Sequence, residues 1–555
     1  MSENQHMVKI EFKRVQEFLF EVPRLRYMLG ANVLLGEYLR VELPKLAREC
    51  GAVQSTDVAG KAPKRDPNDP LDLVKGSEDL ADDPDALFQK GILVRDAGRF
   101  HTVFPSPETA ATFVRRVKGL VASKLPGLRI QIRSQAFSET RDSGEDHHKG
   151  TDQPQSLLDL PVFQVCQELG NEPATHEKKD PDRNRPIYYS ARARSREEAA
   201  QRFDTPEGTF DVVGLLKRQE KLPLMKSKDR DGPRTPQDFR ELCSSDYLAV
   251  VHADGNDMGA RFREWTNKKD GQHASPWDRE TYGEEFFHGA RVAVRRALVD
   301  SLKETFSSFV GRYRPYEVLM LGGDDLLVVC RAKYALGLVC TYAKHLQEHS
   351  LPDARPVTIG AGVAIASPNF PFHHLHRLAE DLAVGAKRLY RQYEANGHPC
   401  SVVDWLVCTH SWADDPYELR RRHLMTCYEG SNGKEELALT GRPYPILGDG
   451  VDSLQGLLAK AKELEKGSDN DSIHAARSQL RHLVSQLGKG RLWANLCFGE
   501  LPEATKGMLK KVGVESPWVD AADQPGRWKT HLFDLVDIYE IQRLQVKSLK
   551  SKEHR

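Results

Sequence analysis

Short continuous apolar runs and stretches with apolar residues at helical spacing follow one another along this chain, and their order predicts its elements. Residues 247–253 read as a buried strand, 284–308 as a helix, 316–321 and 326–331 as two short β-rich strands, and 333–349 as a second helix. A strand over 356–366, a helix over 375–395 and a last strand over 401–405 complete the run. This is a β-α-β-β-α-β, ferredoxin-like order with additions. The same order occurs once more upstream, as a strand over 8–12, helical structure over 15–50, a hairpin from 91–95 and 99–104, a helix over 107–123 and a strand over 128–133. Beyond Trp405 the pattern changes to helices separated by polar turns, over 416–428, 453–466, 472–487, 503–512 and 531–549. The expected class is α+β, with two ferredoxin-like units and a helical C-terminal region.

Two motifs in the second unit carry chemistry. Asp254-Gly255-Asn256-Asp257-Met258-Gly259 follows the apolar run that begins at Tyr247, and Gly322-Gly323-Asp324-Asp325 sits between two apolar strands. Singly, each is an ordinary turn signal. In a ferredoxin-like sheet, however, the first strand lies beside the hairpin, so Asp254 and the Asp324-Asp325 pair are expected to meet at one edge. Clustered carboxylates repel one another unless a cation neutralises them, which predicts a site for Mg²⁺ or Mn²⁺ with Asp254, Asp324 and Asp325 as ligands. Two ions, on the order of 3.5–4 Å apart, would orient a triphosphate and lower the pKa of an attacking ribose hydroxyl. That chemistry is nucleotidyl transfer. Gly322 and Gly323 permit the tight turn and let a phosphate chain approach the backbone. In the upstream copy the hairpin turn is Asp96-Ala97-Gly98, without paired carboxylates, so that copy is expected to be catalytically silent.

The segment from Ala249 to Gly259, with Leu321-Gly322-Gly323-Asp324-Asp325 and the strand from Thr358 to Ile365, resembles the second palm domain of the large polymerase-cyclase subunit of type III CRISPR effector complexes. Val15 to Phe20 and Gly98 to Phe104 resemble the first, inactive palm of that family. The resemblance implies that ATP is joined into cyclic oligoadenylate second messengers when target RNA is bound, in company with guide RNA and other subunits of the complex. It implies a first palm over 1–135 that supplies the other wall of a composite ATP pocket, a linker over 136–245, a second palm over 246–408, and a C-terminal helical domain over 409–555 that contacts small subunits. Gly255, Asn256, Asp257, Gly322 and Gly323 are expected at the nucleotide, and Lys387, placed like a lysine of palm cyclases, at the triphosphate. One departure is the order Gly-Asn-Asp after Asp254, where the family more usually shows Gly-Asp-Asn. Another concerns the zinc ribbon that the family often carries between its palms. The stretch from Cys166 to Ala174 resembles its start, but Leu169 stands at the second ligand position and Tyr188 to Arg192 where another cysteine pair would fall. One cysteine cannot make a thiolate site, so a degenerate ribbon without zinc is expected, with His176 a surface residue. No His-Asp dipeptide occurs, so the His-Asp nuclease domain of many members is expected to be missing.

Composition narrows the classes further. The 555 residues carry 80 basic and 80 acidic side chains, a balance that offers no global field for nucleic acid, so any RNA contact must be local. Arg14, Arg24, Arg26 and the run Arg420 to Arg422 are the candidates, against the plainer reading as solvated charge. Nine cysteines without pairing motifs suit a reducing compartment, with Cys330, Cys340 and Cys400 as packed thiols. No secretory segment or apolar run of membrane-spanning length is present, so a cytoplasmic protein with no membrane contact is expected. Residues 55–85, 136–160 and 217–240, the last with Lys226, Lys228 and Arg230, read as polar insertions; His147-His148 falls in one of them. Gly430 to Lys434 reads as a plain turn rather than a phosphate loop. The alternatives to the effector subunit are a free-standing palm cyclase in antiviral defence and a scaffold subunit that keeps the palm fold for assembly alone.

Overall fold

The computed structural model describes residues 5–53, 69–70, 87, 90–137, 164–168, 173–179, 186–203, 234–244, 246–269, 276–408, 415–430, 433–466, 470–520 and 526–544. His147, His148, Leu169, Lys226, Lys228 and Arg230 lie outside them.

The first sheet is built from β1 (His6–Lys13), β2 (Ile92–Asp96), β3 (Arg99–Phe104) and β4 (Arg129–Ala136), in spatial order β2-β3-β1-β4. β1 pairs antiparallel with both β3 and β4, so the first strand lies inside the sheet. The helical stretch predicted over 15–50 is three helices, Val15–Phe20, Leu25–Glu37 and Leu43–Glu49, the last two joined by a π-helical turn at Tyr38–Glu42. Helix Pro107–Lys124 begins at Ser106, whose hydroxyl accepts from the Thr109 amide in a capping box. Its Ala110, Phe113, Val117 and Val121 recur at helical spacing and are buried, Phe113 against Phe100 and Phe104 of β3.

Between the two large units lies a hairpin of β5 (His176–Lys179) and β6 (Pro186–Tyr189), followed by helix Ala191–Phe203. Arg192 and Arg196 on this helix ion-pair with Glu21 of the first unit at 3.0 and 2.9 Å. Cys166 is buried among Val22, Tyr27, Tyr189 and Ala193, the setting of a packed thiol. His176 shares a hydrogen bond with the Thr175 hydroxyl at 2.8 Å.

The second sheet contains β7 (Leu248–Gly255), β8 (Tyr316–Gly322), β9 (Asp325–Arg331), β10 (Ile359–Ala366) and β11 (Val402–Val407), in spatial order β11-β10-β7-β9-β8. β7 is antiparallel to both β9 and β10, which puts the end of β7 beside the β8–β9 turn. Helices cover both faces of this sheet. Ala249, Val251 and Ala253 join a core with helices Pro276–Phe306 and Ala332–Gln347, while Leu248 and Val250 join a core with helix Phe372–Ala395 and the helices of the first unit. Burial on both sides is why β7 and β10 read as continuous apolar runs rather than alternating ones. Helix Met258–Lys269, absent from the sequence reading, follows directly on the Asp254 motif.

The C-terminal region departs most from expectation. The helix predicted over 416–428 is capped by Asp415 and stops at His423; Met425 then opens β12 (Met425–Gly430), which pairs with β13 (Gly433–Ala438). After β14 (Tyr444–Pro445), which adds to the second sheet beside β11, come β15 (Val519–Asp520) and β16 (Arg527–Lys529), and β13 pairs with β16 to give the order β12-β13-β16-β15. Gly430 and Gly433 face each other in that ladder, so the glycines of this segment close a hairpin. Helices Leu454–Lys466, Asn470–Leu487, Arg491–Gly499, Glu503–Lys511 and Leu532–Ile541 account for the rest. Leu454, Leu457, Leu535 and Ile538 of these helices share one core with Val403, Trp405 and Tyr444 of the second sheet. No helix among the described residues is long and apolar enough to cross a membrane.

Candidate active site

β7 carries Asp254 near its end, and the neighbouring β8–β9 hairpin brings Asp324 over Gly255. A Cβ added at Gly255 would lie 2.7 Å from Asp324 Oδ2 and 2.8 Å from Asp324 Cβ, so the carboxylate occupies space that only glycine leaves. Lys387 reaches the same place from helix Phe372–Ala395. Its ammonium ion-pairs with Asp254 and donates to the Gly255 carbonyl oxygen at 2.9 Å. The lysine stem passes over Gly360, where a Cβ would lie 2.5 Å from Lys387 Cγ. Burial, and then the Asp254 carboxylate, push Asp324 up to about 6, with Asp325 adding to the rise.

Asp325 takes a different partner. Its Oδ1 lies 2.9 Å from Nε2 of His252, two residues before Asp254 on the same strand. Burial pulls the His252 imidazole down, but the hydrogen bond to Asp325 and the nearby carboxylates of Asp325, Glu380 and Asp254 outweigh it and leave the ring above its ordinary value. His252 is a site residue that the sequence reading passed over. Its signal was the period of two, which gives His252 and Asp254 one face of β7.

The other predicted site residues are placed unequally. Asn256 is 1 % exposed and is spent on the fold, its amide donating to the Thr358 carbonyl at 2.8 Å and its side chain to the Thr358 hydroxyl at 3.2 Å. Asp257, with φ 52°, lies beside Tyr390 and Glu394 of helix Phe372–Ala395, and both of those groups are raised by burial and by its carboxylate. Gly322 and Gly323 lie against the first unit: Cβ atoms added there would come within 3.7 and 3.6 Å of Ala97. The two hairpin tips therefore face each other.

Beside the tips is a cleft of about 530 Å³, within the range of ligand pockets. The first unit supplies Phe12, Asn32, Arg40 and Arg95 to its wall, and the second supplies Met320, Leu321, Gly322 and Asp325. Arg40 and Arg95 line the cleft and are both 4 % exposed, and the Arg95 guanidinium donates to the Arg40 backbone carbonyl at 3.2 Å. Five of the candidate RNA arginines form ion pairs. Arg420 is buried in a bidentate pair with Asp404, Arg24 pairs with Glu168 at 2.8 Å, and Arg421 and Arg422 both pair with Glu418. Arg14 pairs with Glu17 at 3.2 Å at the rim of the cleft.

Among the described residues no group of three or more His, Cys, Asp or Glu side chains is arranged to hold a metal ion. The expected trio is divided, Asp254 and Asp324 meeting over Gly255 while Asp325 pairs with His252. The oxygens at that meeting point, two carboxylates and the Gly255 carbonyl, are nonetheless a hard donor set, and the carboxylates of Asp254 and Asp325, which add to the rise that burial gives Asp324, are charge that a divalent cation would relieve. The residues present fit such an ion.

A comparison with curated proteins gave no match. Among solved structures, the chain is similar to a Csm1-Csm4 cassette in complex with cA4, at 12% identity over 98% of this chain and 70% of that one, with a TM-score of 0.43. It is also similar to Csm1 in T.onnurineus, at 14% identity over 98% and 70%, TM-score 0.41, and to a Csm1-Csm4 cassette in complex with AMPPNP, at 13% identity over 98% and 70%, TM-score 0.41. Residues 247–393 match the family model of the Cas10/Cmr2 second palm domain. That span holds β7 to β10, Asp254, Asp324, Asp325 and Lys387, so the likeness to the Cas10/Cmr2 second palm falls on the candidate site.

Proposed function

We propose that this chain is a nucleotidyl cyclase that joins ATP into cyclic oligoadenylate, working in the cytoplasm as the large subunit of a type III CRISPR effector complex with guide RNA and target RNA. The observation that carries this reading is the meeting of Asp254 and Asp324 over Gly255, with Lys387 on the same oxygens, beside a cleft shared with the first unit. The strand orders β2-β3-β1-β4 and β8-β9-β7-β10 support two ferredoxin-like palms, the first over 1–135 and silent, the second over 246–408 and active. A linker over 136–245 and a C-terminal region over 409–555 complete the proposed organisation.

Two Mg²⁺ or Mn²⁺ ions bound by Asp254, Asp324 and the Gly255 carbonyl would supply charge stabilisation of the triphosphate and a more acidic ribose hydroxyl. The protein's own groups have separate tasks. Lys387, released from Asp254, neutralises phosphate as a compact point charge. Gly322 and Gly323 let the phosphate chain approach the hairpin backbone. Arg40 and Arg95 offer guanidinium charge to a second nucleotide on the first palm's side of the cleft, which Asp325 lines as well. Holding donor and acceptor in one cleft converts a bimolecular step into an effectively unimolecular one. The test is a mass spectrum of products from labelled ATP, metal and target RNA with the assembled complex. Asp324→Ala with Asp325→Ala should abolish product while leaving the fold intact; product at the wild-type level from this double variant would overturn the assignment.

A further inference from the structure

His252 and Asp325 form a pair that the nucleotidyl-transfer reading does not by itself require. His252 Nε2 and Asp325 Oδ1 are 2.9 Å apart, and the histidine side chain is 10 % exposed against 31 % for the aspartate. His252 Nδ1 is buried with no hydrogen-bond partner among the described residues, so Asp325 is the ring's one polar anchor. The ring is boxed in. His376 lies 6.2 Å away edge-on, is itself 4.5 Å from the Phe20 ring of the first palm, and has Nδ1 3.6 Å from Glu380. On the neighbouring strand, Gly362 is the register partner of His252, and Ala379 packs directly on it. Asp325 follows Asp324 in sequence and opens β9, whose Leu327 is the other register partner of His252.

We infer that His252 is a positioning residue, which holds Asp325 toward the inter-palm cleft and keeps it out of the oxygen cluster of Asp254 and Asp324. Two adjacent aspartates on one turn would otherwise compete for the same cation. A rigid imidazole packed on one face of β7 separates them, one for the metal and one for the cleft. The catalytic part of this inference rests on the cyclase reading, and the metal-binding part rests on the geometry alone.

The experiment titrates Mn²⁺ into the purified full-length chain by electron paramagnetic resonance, without nucleotide, and separately measures kcat and KM for ATP in the assembled complex. In His252→Leu, Asp325 is freed to join the cluster, so Mn²⁺ should bind about three- to tenfold more tightly, while kcat falls at least about tenfold with KM within about twofold. His252→Gln, whose amide N–H can still donate to Asp325, should stay within about threefold of wild type in both readouts. Adding Asp325→Asn to His252→Leu should cancel the gain in Mn²⁺ affinity, and Asp325→Asn alone should leave Mn²⁺ affinity near wild type. Unchanged Mn²⁺ affinity in His252→Leu, a loss of about tenfold in Asp325→Asn, or no Mn²⁺ binding at all overturns the inference, and the Asp325→Asn arm decides it even if His252→Leu does not fold. If the Mn²⁺ results hold but the wild-type complex makes no oligonucleotide, the cyclase reading fails and the positioning role stands.

Discussion

A Cβ at Gly255 would sit 2.7 Å from Asp324 Oδ2, so Gly255→Ala must push that carboxylate away from Asp254. The expected outcome is a loss of turnover of about 100-fold, because reacting groups displaced by about 1 Å lose that much, with the melting temperature little changed. Charge at the same spot gives a second test. Asp324 is raised to about 6 by burial and by Asp254, so in the metal-free protein its protonated form stabilises the fold at low pH, and that contribution is lost as pH rises through about 6. Asp324→Asn cannot ionise. In urea unfolding with chelator present it should be more stable than wild type by on the order of 1–2 kcal/mol at pH 7.5, with the difference gone below about pH 4. A stability difference that does not change with pH would mean that Asp324 is not the strained carboxylate.

At the scale of elements, the two hairpin tips face each other where the two units meet. Asp96→Ala should leave activity within about threefold, since the β2–β3 turn lacks the paired acids of its counterpart, whereas Ala97→Trp should displace the facing Gly322-Gly323 tip and lower turnover at least about tenfold. Assays of the two variants side by side separate a silent turn from a second metal-binding one. Most elements of the two sheet-bearing units were legible because their apolar runs are long and their caps and turns strong, as at Ser106 and Gly322-Gly323. β12 was not. Met425 to Gly430 continues the polar spacing of the helix before it, and its strand state depends on β13 and, through that, on β16, which lies roughly a hundred residues on. The helix after Asp254 was missed for a similar reason, since the motif reads locally as a turn.

For the molecule as a whole, residues 409–555 read in sequence as a separate helical domain, and the described helices there share a core with the second sheet. Trp405 Nε1 donates to Asp537 at 2.9 Å, and Arg442 pairs with Asp534 at 3.0 Å, so polar contacts tie the same boundary. A chain truncated after Cys408 should therefore lose cooperative unfolding and soluble yield, rather than survive as an uncoupled cyclase. Circular dichroism and thermal melts of the truncated protein check this. Charge balance makes a separate prediction. With 80 basic and 80 acidic side chains and several candidate RNA arginines in ion pairs, the isolated chain should bind RNA weakly and lose binding between about 50 and 200 mM salt, while the assembled complex holds it. Tight, salt-resistant RNA binding by the lone chain would contradict that.

The sequence by itself determined the order of elements in both sheet-bearing units, the repeat between them, and the candidate residues Asp254, Asp324 and Lys387, because periodicity and turn chemistry are local properties of the chain. Tertiary structure alone decided which of those residues meet. Asn256 and Asp257 belong to the same motif as Asp254 yet face Thr358 and the Tyr390–Glu394 pair, while His252, which no motif marks, holds Asp325. The reason is physical. Strand parity and turn geometry set the face on which a side chain stands, but the partner it finds there comes from a helix or strand placed by packing far along the chain, as Lys387 reaches Asp254 only through the path that Gly360 leaves open.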